Sequence, residues 1–182
     1  MARLDAEIDT VFEANTSETE LPFYRARDHL DTIPGVAKRA AEAIIAEIGV
    51  DMSRFPTPGH LASWAGVAPG NNITGGKRGS GRTTTGDVWL GEILNECWWA
   101  AARTRETYQF WRLARRIGKK KAAMAVAHSI LVICWHLITN DTDYQDLGGD
   151  YFTRRNDPDR HRDRLIEQLH GLGYRVTLSR VA

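Results

Sequence analysis

Three groups of residues have the types and spacing to act on a polyanion. The first is the turn Ile33-Pro34-Gly35-Val36, with Lys38 and Arg39 just beyond it. Pro34 fixes φ and Gly35 tolerates φ > 0. The apolar period runs through Phe23, Leu30 and Ile33 before the turn and through Val36, Ala40, Ile44 and Ile48 after it, which predicts a helix-hairpin-helix. A glycine turn at a helix N-terminus leaves amide N–H groups at the positive end of the helix, where a phosphodiester oxygen is favoured and Lys38 and Arg39 add charge. Such a contact carries no base information, so the expected binding is independent of sequence and sensitive to salt. The plainer alternative is a simple turn between packed helices, which the small residues Ala37, Ala40, Ala41 and Ala43 would also serve.

The second group is the stretch from Tyr108 to Lys121, where Tyr108, Phe110 and Trp111 are followed by Arg112, Arg115, Arg116, Lys119, Lys120 and Lys121. Guanidinium and ammonium groups meet phosphates, and rings can stack on bases. The rings are read as core and the cations as phosphate contacts, against the alternative of a solvated charged face. The third group is the segment from Gly70 to Gly86, with six glycines, two asparagines, four threonines and a serine around the single apolar Ile73. A segment of this composition cannot bury itself, and loops of this length inside compact domains are usually functional.

Charge is distributed to match. The net charge is only +1, but residues 1–33 carry eight acids against three arginines, whereas residues 77–121 carry eleven Lys/Arg against four acids. The centre of the chain is thus built to meet a polyanion. With 42% hydrophobic and 26% charged residues, the 182-residue chain has the make-up of a folded globular protein rather than a disordered one. Cys97 and Cys134 are too few and too far apart for a zinc site and lie in apolar helical runs, so they are expected to be reduced core thiols of a cytoplasmic protein. No metal site is expected. His128 and His136 lack a third ligand and are read as core or edge histidines. The N-terminus has no secretory apolar segment. The longest apolar run, Ala122 to Ile138, is interrupted by His128, Ser129 and His136 and is read as a buried helix rather than a membrane span.

The elements that must position these groups are helical. Leu4, Ile8, Val11 and Phe12 share one face of an acidic helix over residues 2–14, which resembles the end of a longer amphipathic helix or coiled coil. The hairpin ends near Gly49, a C-cap, and residues 51–59 with Pro56, Pro58 and Gly59 form a loop. Helices are expected at 60–66, 88–103 and 122–139, with a last short helix at 160–170 and a short strand at the end of the stretch 171–178. The fold class is therefore mainly α: a helix-hairpin-helix, a glycine-rich loop and a small helical bundle. The expected divisions are 1–20 as the end of a helical linker, 21–140 as the hairpin-containing domain and 141–182 as a C-terminal extension.

The order of the motifs TIPGV, RFPTPGHLASWAGVAPGNN, GGKRGSGRTTTGDVWLGEIL, RRIGKKKAAMAVAHSILVICWHLI and YQDLGGDYF resembles the C-terminal transposase domain of the Piv-type insertion-sequence transposases, the bridge-RNA-guided DEDD recombinases. The resemblance runs from about Leu30 to the end. It implies DNA as partner, a structured guide RNA, a homo-oligomer, and a RuvC-like nuclease domain supplied in trans. It also implies that the divalent metal, Mg, comes only with that partner domain, so no cofactor is expected in this chain. The family pattern Asn-Asn-Glu-Ser-(Ala/Gly)-Gly-Lys matches Asn71 to Lys77, which places Thr74 at the position of the family's nucleophilic serine and Ile73 at that of an acid. The family's Gly-Asn matches Gly86-Asp87, and its Leu-Arg is here Leu90-Gly91. Around Thr74 the loop offers the amides of Gly75 and Gly76 and the cations Lys77, Arg78 and Arg82, the surroundings a scissile phosphate needs. The β-methyl of a threonine crowds in-line attack, and no carboxylate cluster stands near Thr74 in sequence. The expected function is the DNA-binding, strand-exchange part of a transposase. The alternative is a catalytically inactive nucleic-acid-binding remnant.

Overall fold

The computed structural model describes residues 2–14, 21–70, 73–78, 85–103, 108–146 and 158–179. The chain divides into two compact units, residues 1–145 and 146–182. The first contains helices α1 (Ala2–Ala14), α2 (Phe23–Asp31), α3 (Lys38–Ile48), α4 (Pro58–Trp64), α5 (Val88–Arg103), α6 (Tyr108–Ile117) and α7 (Lys119–Asn140), a 3-10 turn at Met52–Arg54, and two short strands, β1 (Ile73–Thr74) and β2 (Lys77–Arg78). The second contains α8 (Pro158–Gly171). The mainly-α expectation holds.

Helix α7 is the centre of the first unit, with α2, α4, α5 and α6 packed against it. Nine of its residues are buried, among them Val126, Ile130, Leu131, Cys134, Leu137 and Ile138. By length and composition it could cross a membrane; here its apolar surface is used by four neighbouring helices. Burial of these side chains, roughly 1.5–3 kcal/mol for each large one, is the main source of stability. The Trp135 Nε1–H donates to the Phe55 carbonyl at 2.9 Å, and Phe55 packs on Trp64 at 5.5 Å between ring centres, so the segment before α4 is held on α7. Helix α4 begins at Pro58, two residues earlier than the sequence predicts. Proline is favoured in the first turn, and Thr57 Oγ1 accepts from the His60 amide as an N-cap.

Cys97 of α5 and Cys134 of α7 are buried free thiols. Burial pushes the Cys97 thiol up to about 11, with Glu96 adding to the effect, and burial raises Cys134 further, with Cys97 adding to it. Both are held protonated and inert, as expected of core cysteines. His128 is half-buried in α7, and His136 is exposed with its ring edge-on to Trp135 at 5.0 Å. Among the described residues no group of three His, Cys, Asp or Glu side chains is arranged to hold a metal ion.

The first unit runs past Asn140 to Gln145 because the chain there is tied back to α2. Asp141, in the left-handed region at φ 52°, reaches His29 Nε2 at 2.8 Å and Arg25 at 2.8 Å, and Asp143 reaches His29 Nδ1 at 2.6 Å. The Tyr144 amide donates to Thr32 Oγ1 at 2.9 Å, and that hydroxyl donates to the His29 carbonyl at 2.6 Å.

In the second unit, Gly173 at φ 85° ends α8, and the Tyr174 amide donates to the Leu169 carbonyl at 3.0 Å, closing the last turn. Residues 174–179 then have no regular structure, where a strand was expected. Alternation of apolar residues does not make a strand without a neighbour to share its hydrogen bonds, and among the described residues nothing pairs there.

Candidate nucleic-acid interface

The predicted hairpin is formed by α2 and α3. The Val36 amide donates to the Ile33 carbonyl at 2.9 Å across Pro34-Gly35, and Gly35 has φ 91°, which is a type II turn with proline and glycine in their preferred places. Leu30, Ile33, Val36, Ala41, Ile44, Ile45 and Ile48 are buried, so the apolar stripes read from the sequence are the packed faces. Ala37 gives α3 no side-chain cap, which leaves its first amides to other partners. The tertiary structure adds a second reason for Gly35. A Cβ there would lie 2.6 Å from Cys97 O, Ala101 N and Ala101 Cβ, so the turn is pressed against the backbone of α5.

The hairpin cations face acids of the same chain. Lys38 Nζ lies 2.6 Å from Asp9 and 4.0 Å from Glu42, and Arg39 pairs with Asp5. Arg27, only 14% exposed, reaches Asp9 at 3.1 Å, Asp28 at 3.1 Å and Glu42 at 3.9 Å. Helix α1 is held there by Phe12, which is buried and lies 5.7 Å from the Phe23 ring. The hydrogen bond from Lys38 keeps the Asp9 carboxyl below its ordinary range, with the charges of Lys38 and Arg27 adding to this. The acidic N-terminal stretch noted in the sequence is therefore the counter-charge of the hairpin.

The cations at the corner between α6 and α7 are placed differently. Gly118, at φ 84°, separates the two helices, which splits the single basic stretch of the sequence. Arg115, Arg116, Lys119, Lys120 and Lys121 are all exposed, and among the described residues none of them forms an ion pair with an acid. Lys119 to Lys121 stand in the first turn of the 22-residue α7, where no side-chain cap is present and the helix dipole is positive. Three lysines there are electrostatically unfavourable until an anion meets them. The side chain of Arg112 lies outside the described residues.

Within the glycine-rich segment the structure contains a β-hairpin. Ile73 pairs with Arg78 and Thr74 with Lys77, antiparallel, across Gly75 and Gly76 at φ 58° and 74°. The signal was present in the sequence as Ile-Thr-Gly-Gly-Lys-Arg, since two residues with φ > 0 make the tight turn that matches strand twist. Thr74 therefore stands directly before the turn, opposite the exposed Lys77; Arg82 lies outside the described residues. The segment returns to the body at Gly86, where a Cβ would come within 2.2–2.3 Å of the Ala65 carbonyl and the Gly66 amide. Asp87 then caps α5, its Oδ1 accepting from the Leu90 amide at 2.7 Å. The sequence reading did not assign these two residues a structural role.

Residues 27–112 match the Transposase IS116/IS110/IS902 family. A relative, the 43.6 kDa protein of the insertion element IS110 from Streptomyces coelicolor, is 28% identical over 149 residues, covering 78% of this chain and 34% of the relative. The chain thus spans about a third of the length of that relative. The family match covers the hairpin, the segment with Thr74, α5 and the start of α6, in the order in which the structure assembles them. The chain is thus similar to that transposase family over residues 27–112 and to an IS110 insertion-element protein over 149 residues.

Proposed function

We propose that this chain is the DNA-binding, strand-exchange part of an insertion-sequence transposase, and that the α6–α7 corner is its main phosphate-binding surface. The observation that carries this reading is the set of five exposed cations, Arg115, Arg116, Lys119, Lys120 and Lys121, without acidic partners among the described residues and partly stacked on a positive helix end. The hairpin, with Gly35, Lys38 and Arg39, is a second phosphate contact, used when DNA replaces the acids of α1. Cleavage needs a RuvC-like nuclease partner that brings the divalent metal, and assembly involves a homo-oligomer and a structured guide RNA. The test is charge reversal. Arg115→Glu with Arg116→Glu is expected to weaken duplex binding across unrelated sequences and to lower the salt slope by about two units, one for each lost phosphate contact. Unchanged affinity and slope in fluorescence anisotropy would reject the surface.

In this reading Thr74 takes the position of the strand-transfer nucleophile, and the amides of Gly75 and Gly76 with the cations Lys77, Arg78 and Arg82 of the same sequence segment would serve the scissile phosphate. The step would be attack of its hydroxyl on a backbone phosphorus, with a proton lost from the threonine and a deoxyribose hydroxyl leaving. The threonine in place of serine favours a second reading, a binding remnant without catalysis. The two are separated by adding a RuvC-like partner and a divalent metal and resolving covalent protein–DNA adduct on a denaturing gel. The catalytic reading expects more adduct from Thr74→Ser than from the parent and none from Thr74→Ala. Equal adduct from Thr74→Ala would place the nucleophile elsewhere.

A further inference from the structure

A groove of about 740 Å³ lies between α5, α6 and α7, with the end of α4 and residues 85–87 closing it. Its volume falls in the range of ligand clefts, roughly 300–1,000 Å³. Its lining is strongly apolar yet open to solvent: Val88 is 65% exposed, Trp99 and Trp111 are each 51% exposed, and Met124 is 40% exposed. A concentration of exposed indole and aliphatic surface in one cleft marks an interaction site. The rings are pre-arranged, since Trp98 stacks on Trp99 at 4.6 Å and 26° and the Trp98 Nε1–H donates to Asn95 Oδ1 at 2.6 Å.

Charge decides which partner fits. The groove carries the cations Arg103, Lys119 and Lys120, and the Arg103 guanidinium lies 6.0 Å from the Trp99 ring centre. Among the described residues that line it, the one carboxylate, Asp87, is already engaged in capping α5. Aromatic faces bordered by cations match a ligand that is itself flat rings joined by phosphates. In a duplex the faces of the bases are covered by their neighbours, so only unpaired nucleotides can use this cleft. Lys119 and Lys120 belong both to this groove and to the corner proposed to hold duplex phosphates, so one polyanion path joins the two. The groove wall at residues 85–87 is also where the glycine-rich segment that carries Thr74 returns to the body.

We infer that this groove binds single-stranded DNA, stacking unpaired bases on Trp99 and Trp111 while Arg103, Lys119 and Lys120 hold the adjoining phosphates. The inference rests on the DNA-binding reading above and adds to it a place for the strand that has left the duplex.

The test titrates the full chain with three labelled probes at fixed salt: oligo-dT, an abasic oligonucleotide of the same length, and a duplex. The expected result is quenching of tryptophan fluorescence by oligo-dT and at least tenfold weaker binding of the abasic strand. Trp99→Ala with Trp111→Ala should weaken oligo-dT by tenfold or more and change duplex affinity less than twofold, and Trp99→Phe with Trp111→Phe should recover most of the loss. Equal binding of oligo-dT and abasic strand by the parent protein would overturn the inference whether or not the alanine variant folds. If duplex still binds in that case, the phosphate surface survives and only the groove assignment fails; if no probe binds, the DNA-binding reading itself fails. Tighter binding of oligo-rU than of oligo-dT would reassign the groove to RNA. Loss of self-association in the alanine variant, without quenching by oligo-dT, would make it an interface between copies.

Discussion

Gly86→Ala is expected to destabilise the first unit by about 3 kcal/mol or more, at the upper end of what overpacking costs. The added Cβ would lie 2.2 Å from the Ala65 carbonyl carbon, 2.3 Å from its oxygen and 2.3 Å from the Gly66 amide nitrogen. All three are backbone atoms, which cannot swing aside as a side chain can. Relief requires moving either the end of α4 or the start of α5, and Leu61, Ala62 and Leu90 at those places are fully buried. For a unit of this size the loss corresponds to a fall in melting temperature of roughly 6–12 °C, measured by the helical circular dichroism signal. Gly91→Ala, one turn into α5, is the control. A Cβ there meets nothing within 4 Å, and alanine has the higher helix propensity, so that variant should gain up to about 1 kcal/mol. If Gly86→Ala melts with the parent, the close approach between residues 86 and 65–66 is not part of the fold in solution.

Asp5→Asn combined with Asp9→Asn is expected to tighten duplex DNA binding, by tenfold or more at low salt, and to steepen its salt dependence by about two units. Lys38 and Arg39 would no longer be neutralised by α1 and would become available to two further phosphates. The expectation has a pH counterpart with a fixed sign. The Asp9 carboxyl is lowered from the ordinary value of 3.8, chiefly by its hydrogen bond from Lys38. A group lowered in the folded state favours folding fully above its unfolded value, and that contribution disappears as the pH falls through the lower, folded value. Docking of α1 should therefore be independent of pH near neutrality and weaken only below about pH 3.8 in the parent. In the Asn variant this acid-dependent step should vanish. The measurements are anisotropy titrations over a range of salt, with Lys38→Ala and Arg39→Ala added to the Asn variant. Those additions should return the slope to that of the parent. A slope unchanged by the Asn substitutions would show that the hairpin cations do not meet DNA.

Much of this molecule can be read from the order of its residues because the relevant physics is local. The stripe Val36, Ala40, Ile44 and Ile48, the Pro34-Gly35 turn and the apolar face of α5 depend on helical spacing and on the φ preferences of two residue types. The excess of positive charge between residues 77 and 121 is likewise a count along the chain. The two-residue turn at Gly75-Gly76 was equally local and was hidden only by the glycine-rich composition around it. The tertiary structure decided which charges are available and which are already used. Lys38 and Arg39 look like the lysines of α7 in the sequence, but α1 packs through Phe12 on Phe23 of α2 and places Asp5 and Asp9 against them. The cations at the α6–α7 corner have no such neighbour among the described residues. Gly35 and Gly86 show the same division. Sequence assigns Gly35 to a turn, but only the packing of α5 and α4 against these positions shows that a single added carbon would collide with backbone. Contacts between residues tens of positions apart depend on how helices stack, and helical spacing alone carries no record of it.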